Sequence, residues 1–446
     1  MAISPVRRQS ANPPLPCPAQ LDEGTILRAA ADSGFIKRKP RKIPPLAFLV
    51  ALCHEAVHGS PSYNDLAAAI EARSSIAPSR QSMAERMGPP CLAFLQALLE
   101  HVMGRDAVTA RDAHTQSGGR YLRVLVQDST VIQLPAALFG SFSGVANGHA
   151  SACNARIQAV YDLASMRFVA FSIDPYSKND QRAAPELEIR AGDLVLRDRG
   201  YLANGEITRH VEAGADCIYR HSTRTTYLDP ATGRPVALLD HLRRHGRADM
   251  PVLLNNPART RVRLVASPVD PAIAATRRMR AKKEMRGHAP TAEVLALMDW
   301  TIFITTIPAT DASFEAILAI YGMRWRIEVI FKSWKSHLEF ATVHRLCETQ
   351  LRILLTARLM LVAAWANNLY GPCSRRVRDS LGRELSLLKF IRYLARHPQR
   401  AGSLARILAG DNGHEPRVLG AVARYCCYDK RKRPNFNQTW DSLGLT

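Results

Sequence analysis

The stretch RYLRVLVQDSTVIQL, residues 120–134, places Leu122, Val124, Val126 and Asp128 on one face by simple alternation. A period of two is the pattern of a β-strand, so the chain turns here from helical to extended structure, with Asp128 within or at the end of the strand. Downstream, NARIQAVYDLASMRFVAFSID (154–174) predicts two strands around a short turn, and APELEIRA (184–191) predicts a helix. DLVLRD (193–198) is a further strand, with Leu194, Leu196 and Asp198 on one face. A helix over 203–213 and the strand DCIYRHS (216–222) follow. Three strands, helix, strand, helix and strand make an α/β core with mixed pairing.

Upstream, residues 1–45 are basic and Pro-rich, with KRKPRK at 37–42, and read as a flexible arm. Helical patterns follow at 46–58, 63–72, 79–87 and 91–103, each bounded by Pro, Gly or Ser. SYNDLAAAIEA and PSRQSMAERM have the proportions of a helix-turn-helix, in which Ser79 caps the second helix and Arg80 and Gln81 face base edges. A plain helical bundle with solvated polar faces fits the same residues. Residues 104–119 read as a linker.

Beyond the core strands, 223–295 predicts a β-rich insertion, with TRVRLVAS (260–267) alternating and RRMRAKKEMR (277–286) forming a positive arm. WTIFITTI (300–307) is a strand, and a long helix starts near Ser313. LRILLTARLMLVAAWANNLY (351–370) is interrupted by Arg352 and Arg358. It reads as a buried helix, since a membrane span needs about 20 predominantly apolar residues. The end, YDKRKRPNFNQTW, is a basic tail.

The 446 residues are 47% hydrophobic, with a mean hydropathy of −0.13, as in ordinary globular proteins. Sixty Lys and Arg against 39 Asp and Glu leave a net charge of +21 and a pI near 10.0, which implies a polyanionic partner such as nucleic acid. Nine cysteines without a CxxC pair point to a reducing compartment with neither a disulfide framework nor a zinc knuckle. The N-terminal segment lacks a signal-peptide core, so a cytoplasmic location is expected.

HEAVH (54–58) has the His-Glu-x-x-His spacing of a zinc-protease helix. A catalytic zinc needs a third protein ligand, but after His58 the chain reads GSPSYND, without His or Glu at the spacing of GxxH-type enzymes, and Glu71 is the only nearby carboxylate that could serve. The helix is expected to end at Gly59, with a partly positive His58 imidazole in its last turn. The motif is therefore read as structural or DNA-facing.

YGMRWRIEVIFKSWK (321–335) is the least ordinary stretch. On a single helix Tyr321, Arg324, Glu328 and Lys335 fall within about 60° of arc. They lie beside an apolar stripe of Ile327, Phe331, Trp334 and Leu338. Charged groups at a core boundary need a partner, which a phosphate backbone or a metal supplies. If the strands bearing Asp128 and Asp198 are neighbours, their carboxylates converge at one end of the sheet and Glu328 completes a trio. Carboxylates without a nearby His or Cys suit Mg²⁺ or Mn²⁺. Two such ions about 4 Å apart would serve in-line displacement at phosphorus. Taken singly, each aspartate also fits a turn or cap role.

Tyr321-x2-Arg324-x3-Glu328-x6-Lys335 resembles the YREK signature of the DDE transposases of bacterial insertion sequences, the insertion-sequence-four family. QDST (127–130) resembles the segment around that family's first aspartate, and RDRGY (197–201) the second. The resemblance covers residues 120–370. One departure is Arg199-Gly200-Tyr201, where some relatives carry an acidic-rich segment.

The resemblance implies an RNase H-like catalytic core with a β-rich insertion, after a helical N-terminal DNA-binding domain and before a helical C-terminal region. The expected boundaries are 1–110 for the basic arm and DNA-binding helices, 117–222 for the first part of the core and 223–295 for the insertion. The second part of the core, with the Glu-bearing helix, is 296–370, and 371–446 holds the C-terminal helices and basic tail. A cut-and-paste transposase is implied, in which Asp128, Asp198 and Glu328 bind two Mg²⁺ ions, with Mn²⁺ able to substitute. Tyr321, Arg324 and Lys335 would hold phosphates. A hairpin intermediate needs a flipped base, for which Trp325 and Trp300 are the aromatic candidates, although strand-edge packing explains Trp300 equally well. Expected partners are double-stranded DNA, as terminal inverted repeats and target, and a second copy pairing two ends, with no membrane; the expected location is the bacterial cytoplasm, at the nucleoid. An RNase H-like nuclease without strand transfer, or a catalytically dead end-binding repressor, would share these features.

Overall fold

The structure is a computed structural model that describes residues 21–37, 43–74, 76–104, 120–144, 153–284, 289–344, 346–397, 399–408, 410, 415–429 and 436–445. The flexible arm expected over 1–45 is corrected in its described part, where Glu23–Asp32 is a helix that buries Ile26 and Ala30 in the core. Residues 1–20 and 38–42, nearly all of the 104–119 linker, the end of the 277–286 basic segment and the basic run at 430–435 lie outside the described residues.

The strands are β1 (Arg123–Gln133), β2 (Asn154–Asp162), β3 (Arg167–Pro175), β4 (Asp193–Arg197), β5 (Asp216–Arg220), β6 (Tyr227–Leu228), β7 (Ala248–Leu254), β8 (Arg261–Pro268) and β9 (Trp300–Thr305). They form one mixed sheet in the order β3-β2-β1-β4-β5-β9-β8-β7-β6. β2 runs antiparallel to β1 and β3, while β4 and β5 run parallel to β1. From β5 outward every pairing is antiparallel.

Alternation along the strands sorts two cores. Val124 and Val126 of β1, Leu194 and Leu196 of β4, and Ile218 of β5 face the larger core, where most of the helices pack. Leu125, Val195, Cys217 and Tyr219 face a smaller core under the Asn204–Glu212 and Leu238–His245 helices. The larger core also takes in the Pro45–Ala56, Pro89–Gly104 and Leu387–Arg396 helices, so N-terminal and C-terminal helices bury their apolar faces together with the sheet.

Three further expectations, on secondary structure after the first strands, are corrected. Residues 184–191 are not a helix: Glu186, Glu188 and Arg190 are exposed while Leu187 and Ile189 pack on the smaller core, a period of two that leads straight into β4. Residues 223–295 are mixed rather than β-rich, because β6, β7 and β8 extend the sheet while helices form at Leu238–His245, Pro271–Glu284 and Ala292–Leu297. The long helix expected from Ser313 is two helices, Phe314–Gly322 and Trp325–His337. Across the break Met323, Arg324, Arg326 and Ile327 each bond to the carbonyl three residues back rather than four, which tightens the turn and shifts the helical phase.

Glu348–Leu381, whose first part is the Glu348–Trp365 helix, is long and apolar enough to cross a membrane, yet its most apolar 18-residue window is 94% buried in the protein. Arg358, in its middle, has no carboxylate contact among the described residues. Its guanidinium instead donates to four backbone carbonyls, those of Ala56 (2.7 Å), Gly59 (2.7 Å), Phe340 (3.0 Å) and Thr342 (2.8 Å). Burial pulls its pKa down to about 10.

Two of those carbonyls close the HEAVH segment. The helix ends at Ala56, so His58 lies past its C-cap and not in its last turn. Burial and the neighbouring His54 hold the His58 imidazole below its ordinary pKa, which removes the expected dipole role. His54 Nδ1 lies 3.2 Å from Glu55, and no group of three metal-ligating side chains occurs among the described residues.

Arg358→Met should therefore lower unfolding stability by about 3 kcal/mol, because several buried acceptors lose their donor. The urea midpoint at unchanged slope would report this, and a loss below about 1 kcal/mol would contradict it.

Candidate active site

β1 and β4 run side by side in register, with Val126 opposite Leu196 and Gln127 opposite Arg197. One residue further, Asp128 and Asp198 stand on the face that carries Val126 and Leu196. Neighbouring strands are about 4.8 Å apart, so the two backbones bring their carboxylates to one place. β5 continues the row: Arg197 is opposite Tyr219, so the next residue after Tyr219, Arg220, stands beside Asp198. Arg220 in turn faces Phe303 of β9.

Asp128 is inside its strand, whereas Asp198 follows the last residue of β4 and precedes a single tight turn at Arg199–Tyr201. Its side chain accepts no capping bond from that turn, which removes the cap role as its explanation.

The two helices at the 322–325 break cover this row. Tyr321 packs on Phe303, ring centroids 4.4 Å apart, and donates its hydroxyl to Asp198 Oδ1 at 3.2 Å. Arg324 donates to Asp128 Oδ2 at 2.6 Å and to Glu328 Oε1 at 2.6 Å. The second Asp128 oxygen accepts the Ser129 N–H at 2.8 Å. The Trp325–His337 helix is held against the sheet by Trp334, which is fully buried among Phe168, Phe171, Phe331 and Phe340.

Charge is unbalanced here. Arg324 is shared by Asp128 and Glu328, and Asp198 has Arg220 at 4.0 Å, so three carboxylates face two guanidiniums. Burial pushes the Asp128 carboxyl above its ordinary pKa, against the pull of Arg324. Burial works against the charge of Arg324 as well, but Tyr321, Asp128, Asp198 and Glu328 together hold its pKa above the usual value.

A hard divalent cation would suit this donor set, which is all oxygen and short of positive charge. As the side chains stand, Arg324 lies between Asp128 and Glu328, and no three acidic, His or Cys side chains among the described residues are grouped closely enough to hold an ion. The residues fit a cation in chemistry and charge, with Arg324 as its competitor.

The other predicted residues are dispersed. Lys335 donates to the Val131 carbonyl at 2.8 Å, three residues along β1 from Asp128 and so about 10 Å away. Trp325 is 63% exposed at the start of its helix. Trp300 is half-buried, and its indole donates to the Gly246 carbonyl at 2.9 Å. Arg80 and Gln81 are exposed on the Arg80–Arg86 helix, capped by Ser79, and Gln81 bonds Glu85 one turn on. They are not part of the acidic site.

An 820 Å³ cleft opens next to Asp198, lined by Trp300, Arg199, Arg220, Arg224 and Arg277. These arginines were not anticipated. Strand parity signals one of them, since Arg220 shares the face of Ile218. Tyr201, by contrast, is a buried scaffold residue that donates to Gln158 at 3.1 Å.

The sequence profile of the transposase DDE domain matches residues 121–364, more than half of the chain. The chain belongs to the DDE transposase family. Enzymes of this family cleave and transpose DNA with divalent metal ions. The chain is 22% identical over 388 residues to the transposase for insertion sequence element IS231B of Bacillus thuringiensis subsp. berliner, covering 82% of this chain and 80% of that one. It is likewise 22% identical over 394 residues to the transposase for IS231D of Bacillus thuringiensis subsp. finitimus, covering 83% and 82%. Among solved structures, the piggyBac transposase synaptic complex with hairpin DNA is similar at 9% identity and a TM-score of 0.43, over 95% of this chain and 87% of that one.

If Arg324 competes with a cation for Asp128 and Glu328, Arg324→Met should bind Mn²⁺ several-fold more tightly than the unaltered DDE transposase chain, because one positive charge leaves the site. Electron paramagnetic resonance of free Mn²⁺ measures this directly. Weaker binding in the variant would contradict it.

Proposed function

We propose that the chain is a cut-and-paste transposase whose reacting centre is Asp128, Asp198 and Glu328. One observation carries this reading: the neighbouring acids of β1 and β4 meet Tyr321, Arg324 and Glu328 from the far side of the chain, with Arg324 bonded to Asp128 across 196 residues. The order β3-β2-β1-β4-β5, in which only β2 is antiparallel to the others, supports an RNase H-like core, with 223–295 as its insertion.

In this reading Asp128, Asp198 and Glu328 hold two Mg²⁺ ions, for which Mn²⁺ can substitute. Bound there, the ions would supply Lewis acidity to the leaving oxygen and an activated water or 3′-hydroxyl for attack at phosphorus. Arg324 turns a two-pronged donor from carboxylate to phosphate. Tyr321, anchored on Phe303, keeps Asp198 oriented. Lys335 adds a cation further along the strand.

Trp325 is the better placed aromatic for a flipped base, because its ring is exposed beside Arg324 while the Trp300 indole is already bonded. In this reading hairpin formation on the element end uses that base, and strand transfer to target DNA uses the same acidic centre. The helices up to residue 110 bind the terminal inverted repeats, with Arg80 and Gln81 exposed for base edges, and two copies pair the ends. The segment 296–370 completes the core, and 371–446 is a helical C-terminal region.

The test is purified protein with Mg²⁺ and a linear fragment carrying the element's own ends. The expected products are double-strand breaks at the repeat boundary with hairpinned element ends. Asp128→Asn, Asp198→Asn and Glu328→Gln should each lose cleavage by at least about 10²-fold, as for groups that act at the reacting centre, with DNA binding retained. Uniform cutting of unrelated DNA, or full activity in any one of the three variants, would contradict the proposal.

A further inference from the structure

The C-terminal helices Leu387–Arg396, Gln399–Leu408 and Glu415–Cys426 enclose an open groove of about 890 Å³ that the acids do not line. Six cations line it, Lys389, Arg392, Arg396, Arg400, Arg417 and Arg424, and among the described residues no acidic side chain does. Lys389 pairs with Asp429 at 3.2 Å; among the described residues the five arginines have no carboxylate partner. Lys389, Arg392 and Arg396 recur at spacings of three and four, which puts them on one helix face, and Arg417 and Arg424 are two turns apart on the helix across the groove.

Between those two arginines the wall carries only Gly420 and Ala421, and apart from its own helix and chain neighbours no described atom lies within 4 Å of where a Gly420 Cβ would be. A glycine inside a helix costs about 1 kcal/mol relative to alanine, and here it leaves the groove wide. Two tyrosines form one end. Tyr393 and Tyr425 lie nearly parallel, ring centroids 6.5 Å apart at 19°, and Tyr425 is 61% exposed although it is a large aromatic.

Converging unpaired cations call for a polyanion, and an exposed aromatic at the end of such a groove calls for a planar base. Together they are the two components of sites that bind single-stranded nucleic acid. The groove adjoins the end of the Glu328 helix: His337, nine residues beyond Glu328 and so about 14 Å along the axis, feels the charges of Arg392 and Arg396. A strand leaving the acidic site along this helix reaches the groove within a few nucleotides.

We propose that this groove is a second DNA site, which grips the phosphates of an unpaired strand near the cleavage point and stacks one base on Tyr425. The proposal rests on the reading of the chain as an enzyme acting on DNA.

The test uses full-length protein in EDTA, with a labelled oligothymidylate and a labelled duplex of unrelated sequence, by fluorescence anisotropy over a range of salt. Tyr425→Ala should weaken oligothymidylate binding by about tenfold at an unchanged salt slope, as expected for the loss of one stacked base, and leave the duplex nearly unaffected. Arg396→Gln with Arg417→Gln should reduce the salt slope by about 1.4, the share of two phosphate contacts on a single strand. Thermal melts of the variants exclude unfolding as the cause. Wild-type affinity for the single strand in both variants would overturn this site alone. Equal losses on duplex and single strand would overturn the unpaired base. A wild-type chain that binds neither DNA, nor its own element ends, would sink the DNA reading as well.

Discussion

Arg324 is the one positive charge that Asp128 and Glu328 share, and the site is organised around that shortage. Taking carboxylates out of water is costly unless counter-charge and hydrogen bonds replace the lost hydration. Here the replacement is incomplete: burial holds Asp128 above its ordinary pKa even with the guanidinium at 2.6 Å. A protein that needed only a stable core would have no reason to keep two of its acids on one arginine with a third beside them. Such an arrangement makes sense where further cations, and the phosphates that accompany them, complete the balance.

The fold exists in large part to hold that imbalance in place. In-register parallel pairing makes Asp128 and Asp198 neighbours, and the same register brings Arg220 and Phe303 into line beside them. Over this row, Tyr321 is fixed by Phe303, and Glu328 by a helix pinned through Trp334 at its other end. Lys335 ties the same helix to β1 through the Val131 carbonyl. Arg358 does a comparable task away from the acids, joining the N-terminal helices to the loop after the Glu328 helix through backbone carbonyls alone.

Much of this was legible in the sequence, because alternation along strands is a local property. The faces of β1 and β4 follow from residues 122–128 and 194–198, and with them the convergence of two acids. The helix predicted at 184–191 failed since Leu187 and Ile189 alternate over too short a run to separate from a helical pattern. The break after Gly322 was invisible for a different reason: Met323 and Arg324 keep helical backbone angles, and only the hydrogen-bond step changes from four residues to three. The competition of Arg324 for the carboxylates, and the cationic groove at the C-terminal helices, depend on side chains from distant segments. No local periodicity carries that information.

The most direct measurement of the central claim is anomalous diffraction from crystals grown with Mn²⁺. The account predicts a metal peak bonded to Asp128 and Asp198, with the Arg324 guanidinium displaced from between Asp128 and Glu328. A Mn²⁺ peak elsewhere on the chain, with Arg324 still bridging those two carboxylates, would contradict it.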